Sequence, residues 1–442
     1  MNAPPTAVEH LTAILTDSRR GEAVGVTSVC SAHPLVLDAA ARHAAARQAL
    51  LCVESTASQV NQQGGYTGVR PAEFARSVRE TARTAGLPDQ LVLLGGDHLG
   101  PYPWRDGPAA AAMDHATTLV SACVAAGYLK IHLDASMGCA DDPGGPGAGL
   151  DEETAISRTV ALCRAAEETA AKHRASPVYV IGTEVPAPGG ERAGDAGPAV
   201  TPGAAVVRTL ELARSAFAAA GLDDAWSRVV AVVAQPGVEF GDGFVHSYDP
   251  AAAAELVASV RGAWPVVFEA HSTDYQTPAA LRGLVADGFA ILKVGPWLTF
   301  ALREALFALE AVERDLLGGR DDVALSRLRE TLVAEMLADP RHWSAYYRPD
   351  DETLAARLVY SYSDRCRYYW ARREPSAAVA RLFTNLEGVH IPLELLSQHL
   401  PTEYEKVRAG DLAPAHAELV RVHVAAVLDA YAAACGAGAS RV

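Results

Sequence analysis

The sequence predicts an α/β protein: a (β/α)8 TIM barrel over residues 1–309, followed by a helical extension over residues 310–442 that packs on it. Three observations carry this. Eight short apolar runs recur through the first three hundred residues: Ala23–Val29, Ala49–Glu54, Leu91–Leu94, Tyr128–Leu133, Val178–Ile181, Val229–Ala234, Val266–Glu269 and Phe289–Val294. They lack the alternation of a one-sided strand and read as strands buried on both faces of a parallel sheet. Helical stretches lie between them, and polar residues cluster directly after them, where a barrel builds its site.

The intervening helices are Pro71–Thr84, Ala109–Ala125, Glu152–Lys172, Pro202–Ala220 and Pro278–Leu284. Beyond Pro296 the pattern turns helical, with Thr299–Leu317, Asp322–Leu337, Ala377–Leu382 and Ala413–Ala434 and no clear strands between them. There is no internal repeat. Cys139–Leu150 and Ala187–Gly203 are rich in Gly and Pro and read as mobile loops over a site.

Composition narrows the function. Half of the 442 residues are hydrophobic and 21% are charged, enough apolar material for a sizeable core. A formal net charge of −15 repels phosphate backbones and excludes nucleic-acid binding. Seven cysteines without a C-x-x-C pair fit free thiols in a cytoplasmic protein rather than a zinc finger. The N-terminus has no signal-peptide pattern, and no apolar run reaches the roughly 18–20 residues of a membrane helix, so no membrane association is expected. Only four lysines occur among 38 basic residues, which draws attention to Lys130 and Lys293 inside strands.

At the strand ends lie Glu54 with Gln59, Asn61 and Gln62; Asp97 and His98; His132 and Asp134; Thr183 and Glu184; Gln235; His271, Ser272, Thr273 and Asp274; and Lys293. His98, Glu184 and His271 are the metal candidates, because two imidazoles and a carboxylate suit Zn, Mn, Co or Ni and leave room for a substrate oxygen. Asp134 or Gln235 would complete that shell. In KIHLDAS, Lys130, His132 and Asp134 share one strand face. They form either a charged stack leading to the mouth or, for Lys130, a buried Lys–Asp pair bridging barrel layers. Asp97, Glu54, Asp134 and Asp274 are the acid/base candidates. Gln59, Asn61, Gln62, His132, Ser272, Thr273 and Lys293 would orient substrate hydroxyls. Lys293 could also form a Schiff base, though the ligand role ranks first. Gly295, before a helix, offers a weak anion-binding signal. No Walker loop, G-x-G-x-x-G fingerprint or G-x-S-x-G elbow occurs, which opposes a kinase.

The segments ESTASQVNQQGGYTG, LGGDHLGP, KIHLDASMGCA, YVIGTEVPAPGGE, VVAQPGVEF, FEAHSTDYQ and ILKVGPWLTFALREALFAL, continued by SYSDRCRYYW and IPLELLSQHLP, resemble the motif set of the GatZ/KbaZ family. These are the Z subunits of class II D-tagatose-1,6-bisphosphate aldolase, and the resemblance covers essentially the whole chain. It implies a barrel related to the zinc-dependent class II fructose-bisphosphate aldolases. It also implies either a stabilising partner for a separate aldolase catalytic subunit or a metal-dependent epimerase acting on ketohexoses or related uronates at C4. Compared with those aldolases, Asp97 and His98 resemble an acid/base Asp followed by a zinc-binding His, and Glu184 and His271 resemble ligands. Gln235 stands where those enzymes carry another His, and their glycine-rich phosphate loop reads Ser272, Thr273, Asp274, Tyr275 here.

The expectation is therefore a divalent-metal enzyme, zinc first, acting on a ketohexose or its phosphate by C4 epimerisation or reversible aldol cleavage. A stabilising aldolase subunit is the alternative. A small-molecule sugar or sugar phosphate, a catalytic aldolase subunit and further copies of the same chain are the expected partners.

Overall fold

The computed structural model describes residues 4–182, 197–348 and 352–436. Eight parallel strands close a barrel: β1 (Val26–Val29), β2 (Leu51–Thr56), β3 (Val92–Leu99), β4 (Lys130–Leu133), β5 (Val178–Ile181), β6 (Val229–Val233), β7 (Val267–Ala270) and β8 (Phe289–Val294). Each pairs with its neighbours in chain order, and β1 closes on β8 with Val26 opposite Ile291 and Ser28 opposite Lys293. The eight strands lie within or overlap the eight apolar runs. A small antiparallel hairpin, Glu239–Phe240 with Val245–His246, follows β6 and has no counterpart among those runs.

Strand alternation sorts the side chains. The outward set, including Val53, Leu94, Ile131, Tyr179, Val232, Phe268 and Leu292, joins the main core beneath the helices. Pro71–Thr84 shows why those helices dock: Pro71 opens the first turn, and Phe74, Ala75, Val78 and Ala82 bury one stripe. The inward set changes character along the barrel axis. At the N-terminal end Val26, Cys52, Leu93, Val178, Ala231, Val267 and Ile291 form a second apolar cluster. The helix Ala7–Arg19 plugs that end with Leu11 and Leu15, and a reciprocal Thr6–Glu9 capping box starts it.

Toward the C-terminal end the lumen turns polar. Gly95 is required there: a Cβ at that position would stand 2.7 Å from Glu54 Cγ, so the bare backbone of β3 gives the Glu54 side chain its space.

After β8 the helix Pro296–Leu317 runs continuously through residue 309, so barrel and extension share one helix. The expected helix Asp322–Leu337 starts at Leu328, because Ser326 N and Oγ turn back to the buried Glu313 carboxylate and hold the preceding residues as a loop. The expected Ala377–Leu382 extends to Arg373–Leu386. The last helix, His416–Ala434, packs against Pro34–Arg47, Pro278–Ala286 and Pro296–Leu317. Gly25 N–H donates to Cys435 O at 3.1 Å, tying the chain's end to the start of β1. The extension is thus built into the barrel wall. No helix of the described residues is long and apolar enough to cross a membrane.

Candidate active site at the barrel mouth

The inward faces of β2, β3, β4, β7 and β8 stack two charged layers above the apolar plug. In the lower layer Lys130 Nζ lies 2.7 Å from Glu54 Oε1 and 2.6 Å from Glu269 Oε2, all three fully buried. Lys130 is therefore buried and ion-paired, but with two glutamates of its own layer rather than with an aspartate of another. In the upper layer Lys293 Nζ lies 2.6 Å from Asp97 Oδ1, 3.0 Å from Glu54 Oε2 and 3.5 Å from Glu269 Oε1. Three carboxylates thus face two ammonium groups. Burial works against both lysine charges, but the surrounding carboxylates outweigh it and hold both pKa values above the ordinary lysine range. A protonated Lys293 is no Schiff-base nucleophile, which supports the ranking of its ligand role first.

Three imidazoles meet above these lysines. The ring centroids of His98, His132 and His271 are 4.8–5.2 Å apart. Each ring has one nitrogen on a carboxylate: His98 Nδ1 on Asp134 Oδ2 at 2.7 Å, His132 Nδ1 on Asp97 Oδ1 at 2.8 Å, and His271 Nε2 on Glu269 Oε1 at 3.0 Å. An ionised carboxylate only accepts, so His98 Nδ1 and His271 Nε2 carry the proton and the opposite nitrogen of a neutral ring keeps its lone pair, while His132 Nδ1 also accepts the backbone N–H of His98 at 3.2 Å. His132 Nε2 is buried and has no hydrogen-bond partner among the described residues. Burial drives His271 down to about 3, so it stays neutral. His98 is raised: burial opposes its charge, while Asp97 and Asp134 more than offset that. The backbone at His98 is left-handed, with φ of 46°, which turns the residue out of the strand pattern into the mouth.

This chemistry fits a divalent metal. Asp97, His132, Glu269 and His271 offer ligand atoms that all lie within 4.8 Å of one another. Neutral imidazole whose other nitrogen is anchored by a carboxylate is the arrangement that orients metal ligands.

A cavity of about 1230 Å³ opens above the cluster, lined from the barrel by Asp97, His98, His271, Ser272, Asp274 and Lys293 among others. Asp274 Oδ1 accepts the N–H groups of Gly295 and Trp297 at 3.0 and 2.8 Å, capping the helix after β8. Burial pushes its carboxyl up to about 6 even so. That backbone pair is occupied by Asp274, so Gly295 does not present an open anion site.

Other expected residues play local parts. Glu54 lies beneath the lysines, outside the cavity lining, and reaches the mouth only through Lys293. Gln59 closes its own loop through Thr56 N and Cys30 O. Asn61 accepts from the N–H groups of Gln63 and Gly65. Gln62 donates to His115 O, and Thr273 donates to Lys293 O; neither lines the cavity. Gln235 accepts from Gly237 and Val238 N–H, which shapes the turn after β6. Glu184, with Thr183, lies outside the described residues. The Cys139–Leu150 loop is pinned by Asp142, which takes both Arg158 nitrogens at 2.6–2.8 Å.

Two groups went unanticipated. Glu269 was legible, since it alternates with His271 as Lys130 does with His132. The far wall of the cavity was not: Arg365, Arg367, Tyr368 and His342 come from the extension, which crosses the mouth.

The GatZ/KbaZ-like model of D-tagatose-1,6-bisphosphate aldolase subunits matches residues 11–436. The chain belongs to that family. A crystal structure described as a probable tagatose 6-phosphate kinase from Sinorhizobium meliloti 1021 is 45% identical, with a TM-score of 0.84 over 93% of this chain and 100% of that one. A fructose-bisphosphate aldolase from Campylobacter jejuni is 15% identical, with a TM-score of 0.45 over 88% of this chain and 96% of its own. The YdjI aldolase from Escherichia coli K12 is 10% identical, with a TM-score of 0.41 over 84% and 94%. Likeness at that level carries no argument; the barrel is established by its own strand order. The match runs through the extension to residue 436, so the family model spans barrel and extension together.

Proposed function

We propose that the chain is a divalent-metal-dependent enzyme acting on ketohexoses or their phosphates, by C4 epimerisation or reversible aldol cleavage of the C3–C4 bond. The observation that carries this is the buried group of Asp97, His132, Glu269 and His271, of which Asp97 and His271, with His98 beside them, line a large cavity at a barrel mouth. His132 and His271, with Asp97, Glu269 or His98, would hold the ion; zinc ranks first, and manganese, cobalt or nickel share the preference for this donor set. When bound, it supplies Lewis-acid polarisation of the sugar's carbonyl and the neighbouring hydroxyl.

The chain's own residues supply the rest. Lys293, charged and lining the cavity, stabilises negative charge that develops on a substrate oxygen. Asp274, near 6, is partly ionised at neutral pH and lines the same cavity, so it is the group best matched to take the C4 hydroxyl proton. Asp97 lies well below the usual carboxylate range: burial opposes ionisation, but His98, Lys293 and the His132 hydrogen bond outweigh it. It is a weak base and a good anchor. His98, held by Asp134, can return a proton. With the C4 hydroxyl proton removed, the C3–C4 electrons pass toward the C2 carbonyl and the bond breaks. Release of the aldehyde half completes cleavage. Rotation of that aldehyde and re-addition restores the bond with C4 inverted.

Turnover of fructose, tagatose and their 6-phosphates, followed by NMR with added zinc, manganese, cobalt or nickel, tests this. C4 epimer or triose signals that vanish with chelator are expected. The rising limb of the rate should fall near pH 6 and be lost in Asp274→Asn, with a drop of roughly 10²–10⁴-fold in kcat. No turnover with any metal would refute the reading.

The family's description as aldolase subunits favours a second reading, a stabilising partner of a separate catalytic chain. Under it the purified chain stays inactive with every metal, while a co-purified aldolase gains thermal stability from it.

A further inference from the structure

The segment SYSDRCRYYW places two arginines and a tyrosine in one short turn, Arg365–Tyr368, and two ties set that turn beside Asp274. Asp274 Oδ1 caps the helix after β8 through Trp297 N, and from the same first turn Thr299 Oγ1 donates to Asp364 Oδ2 at 2.5 Å. The next residue of the barrel loop, Tyr275, donates its hydroxyl to Tyr362 O at 2.7 Å. Asp364, with a left-handed φ of 45°, then turns the chain into Arg365. Asp274 from the barrel and Tyr368 from the extension both line the cavity.

The Tyr368 hydroxyl has an unusual setting. Arg367 Nη2 and Arg365 Nη1 donate to its oxygen at 3.0 and 3.4 Å. Its acceptor side is thus occupied, and no acceptor among the described residues takes its own proton. The ring is fixed from several sides. It stacks on His342 with centroids 4.7 Å apart, Tyr66 from the loop after β2 meets it edge-on at 4.6 Å, and the Arg367 guanidinium lies 4.5 Å over it. Burial pushes the Tyr66 phenol, one ring away, above its ordinary range. At Tyr368 burial acts the same way and Asp364 adds to it, yet Arg367 and Arg365 more than offset both and hold the phenol below its ordinary value. His342 adds no charge, because burial pushes it down to about 4. At Asp274 burial raises the carboxyl and the same Arg367 opposes it, so one cation faces both groups.

We propose that Tyr368 is a second catalytic acid–base group for the C4 oxygen, working across the cavity from Asp274, and that this pair directs the reaction to C4 epimerisation rather than cleavage. The proposal rests on the reading above of a ketohexose enzyme and narrows its two outcomes to one. Inversion presents the C4 oxygen in two orientations, so a single side chain does not serve both. Asp274 takes the proton of the C4 hydroxyl, the C3–C4 electrons pass toward the C2 carbonyl, and the aldehyde half rotates. Re-addition restores the C3–C4 bond and leaves an alkoxide on C4 turned toward the extension. The Tyr368 hydroxyl gives that alkoxide its proton, and the two guanidinium groups hold the phenolate until solvent carries the proton of Asp274 back to it. The reverse reaction uses the phenolate as base and the Asp274 carboxyl as acid.

Tyr368→Phe tests this, since it keeps the ring between His342 and Tyr66 and removes only the hydroxyl. Given the metals and sugars named above, the unaltered full chain should form the C4 epimer. The variant should lose roughly 10²–10⁴-fold in kcat for the epimer at an unchanged KM. Triose release needs only Asp274 and should not fall with it, whereas Asp274→Asn should lose both products. A structural role for Tyr368 would lower both in proportion. That result, an epimer rate within about tenfold of the parent's, or a parent that yields triose without epimer would overturn the proposal and leave the enzymatic reading standing. A parent that yields neither product with any metal refutes the two together. Should the variant fail to fold, ultraviolet difference titration of the unaltered chain follows phenol ionisation without turnover. One tyrosine should ionise ahead of the others, and Arg367→Gln should return it to them; a parent without that early transition would overturn the proposal.

Discussion

The lumen and the roof of this cavity both gather charged side chains, but they balance them differently. In the lumen Lys130 and Lys293 each contact carboxylates at 2.6–3.0 Å, with every partner buried. In the roof Arg367 donates to two carbonyl oxygens and a hydroxyl and lies over an aromatic face, with no carboxylate within 4.0 Å among the described residues. The difference teaches how each region holds its charge. A lumen with three carboxylates for two ammonium groups has negative charge in excess, whereas the guanidinium of Arg367 is held by neutral partners at hydrogen-bond distance.

The sharpest way to break the comparison is Lys130→Met. It leaves three buried carboxylates, Glu54, Glu269 and Asp97, to share Lys293 alone, and the expected loss is about 3–5 kcal/mol of stability in urea denaturation, the cost of breaking a buried pair. A variant as stable as the parent would show that the lumen charges are not tightly coupled. Next comes the seam where the extension meets the barrel. His423 Nδ1 lies 3.1 Å from Glu403 and its Nε2 3.5 Å from Glu304. Burial opposes its charge, but the two glutamates raise it from 6.5 to about 9. The folded state therefore binds its proton more tightly than the unfolded chain does. That stabilisation is fully present below pH 6.5 and disappears as pH rises through about 9. It amounts to on the order of 3 kcal/mol. His423→Gln should flatten the stability profile across this window, and a parent profile already flat there would contradict the assignment.

Asp134→Asn probes the anchoring of an imidazole. The Asn still accepts at His98 Nδ1 but no longer supplies charge, and metal affinity should fall roughly 10–100-fold, read by competition with a chelator of known affinity. The smallest effect is expected in the roof. Arg367→Gln breaks no ion pair within 4.0 Å among the described residues, and the buried Asp364 keeps Arg303 beside it, so the stability cost should stay within about 1 kcal/mol in the same urea experiment. A loss as large as that of Lys130→Met would erase the contrast between the two regions.

Much of this was readable in the chain before any coordinates. Strands buried on both faces leave runs such as VVAVV and FAILKV, and all eight were legible because parallel barrel strands have no solvent face to encode. The lumen residues followed from alternation along KIHLDAS, and the same period extends to Glu269 and His271 in FEAHS. What alternation cannot show is which polar strand-end residues turn inward. Gln235, Gln62 and Thr273 satisfy backbone groups of their own turns instead, a choice made by local hydrogen bonding after the strand has ended. The roof was hidden for another reason. Arg365 and Arg367 lie in a short irregular turn with no periodicity, and only the tertiary path of the extension brings it across the mouth. The lone signal was the density of Arg and Tyr in SYSDRCRYYW.

The central claim is that the lumen holds one divalent ion between its histidines, and metal content tests it most directly. Elemental analysis after loading and exhaustive dialysis should give about one transition metal per chain for the parent and less than about a tenth of that for a folded His132→Ala, because the ring removed carries the buried Nε2 that has no hydrogen-bond partner among the described residues. A parent that retains no metal, or a His132→Ala chain that retains as much as the parent, would contradict the account.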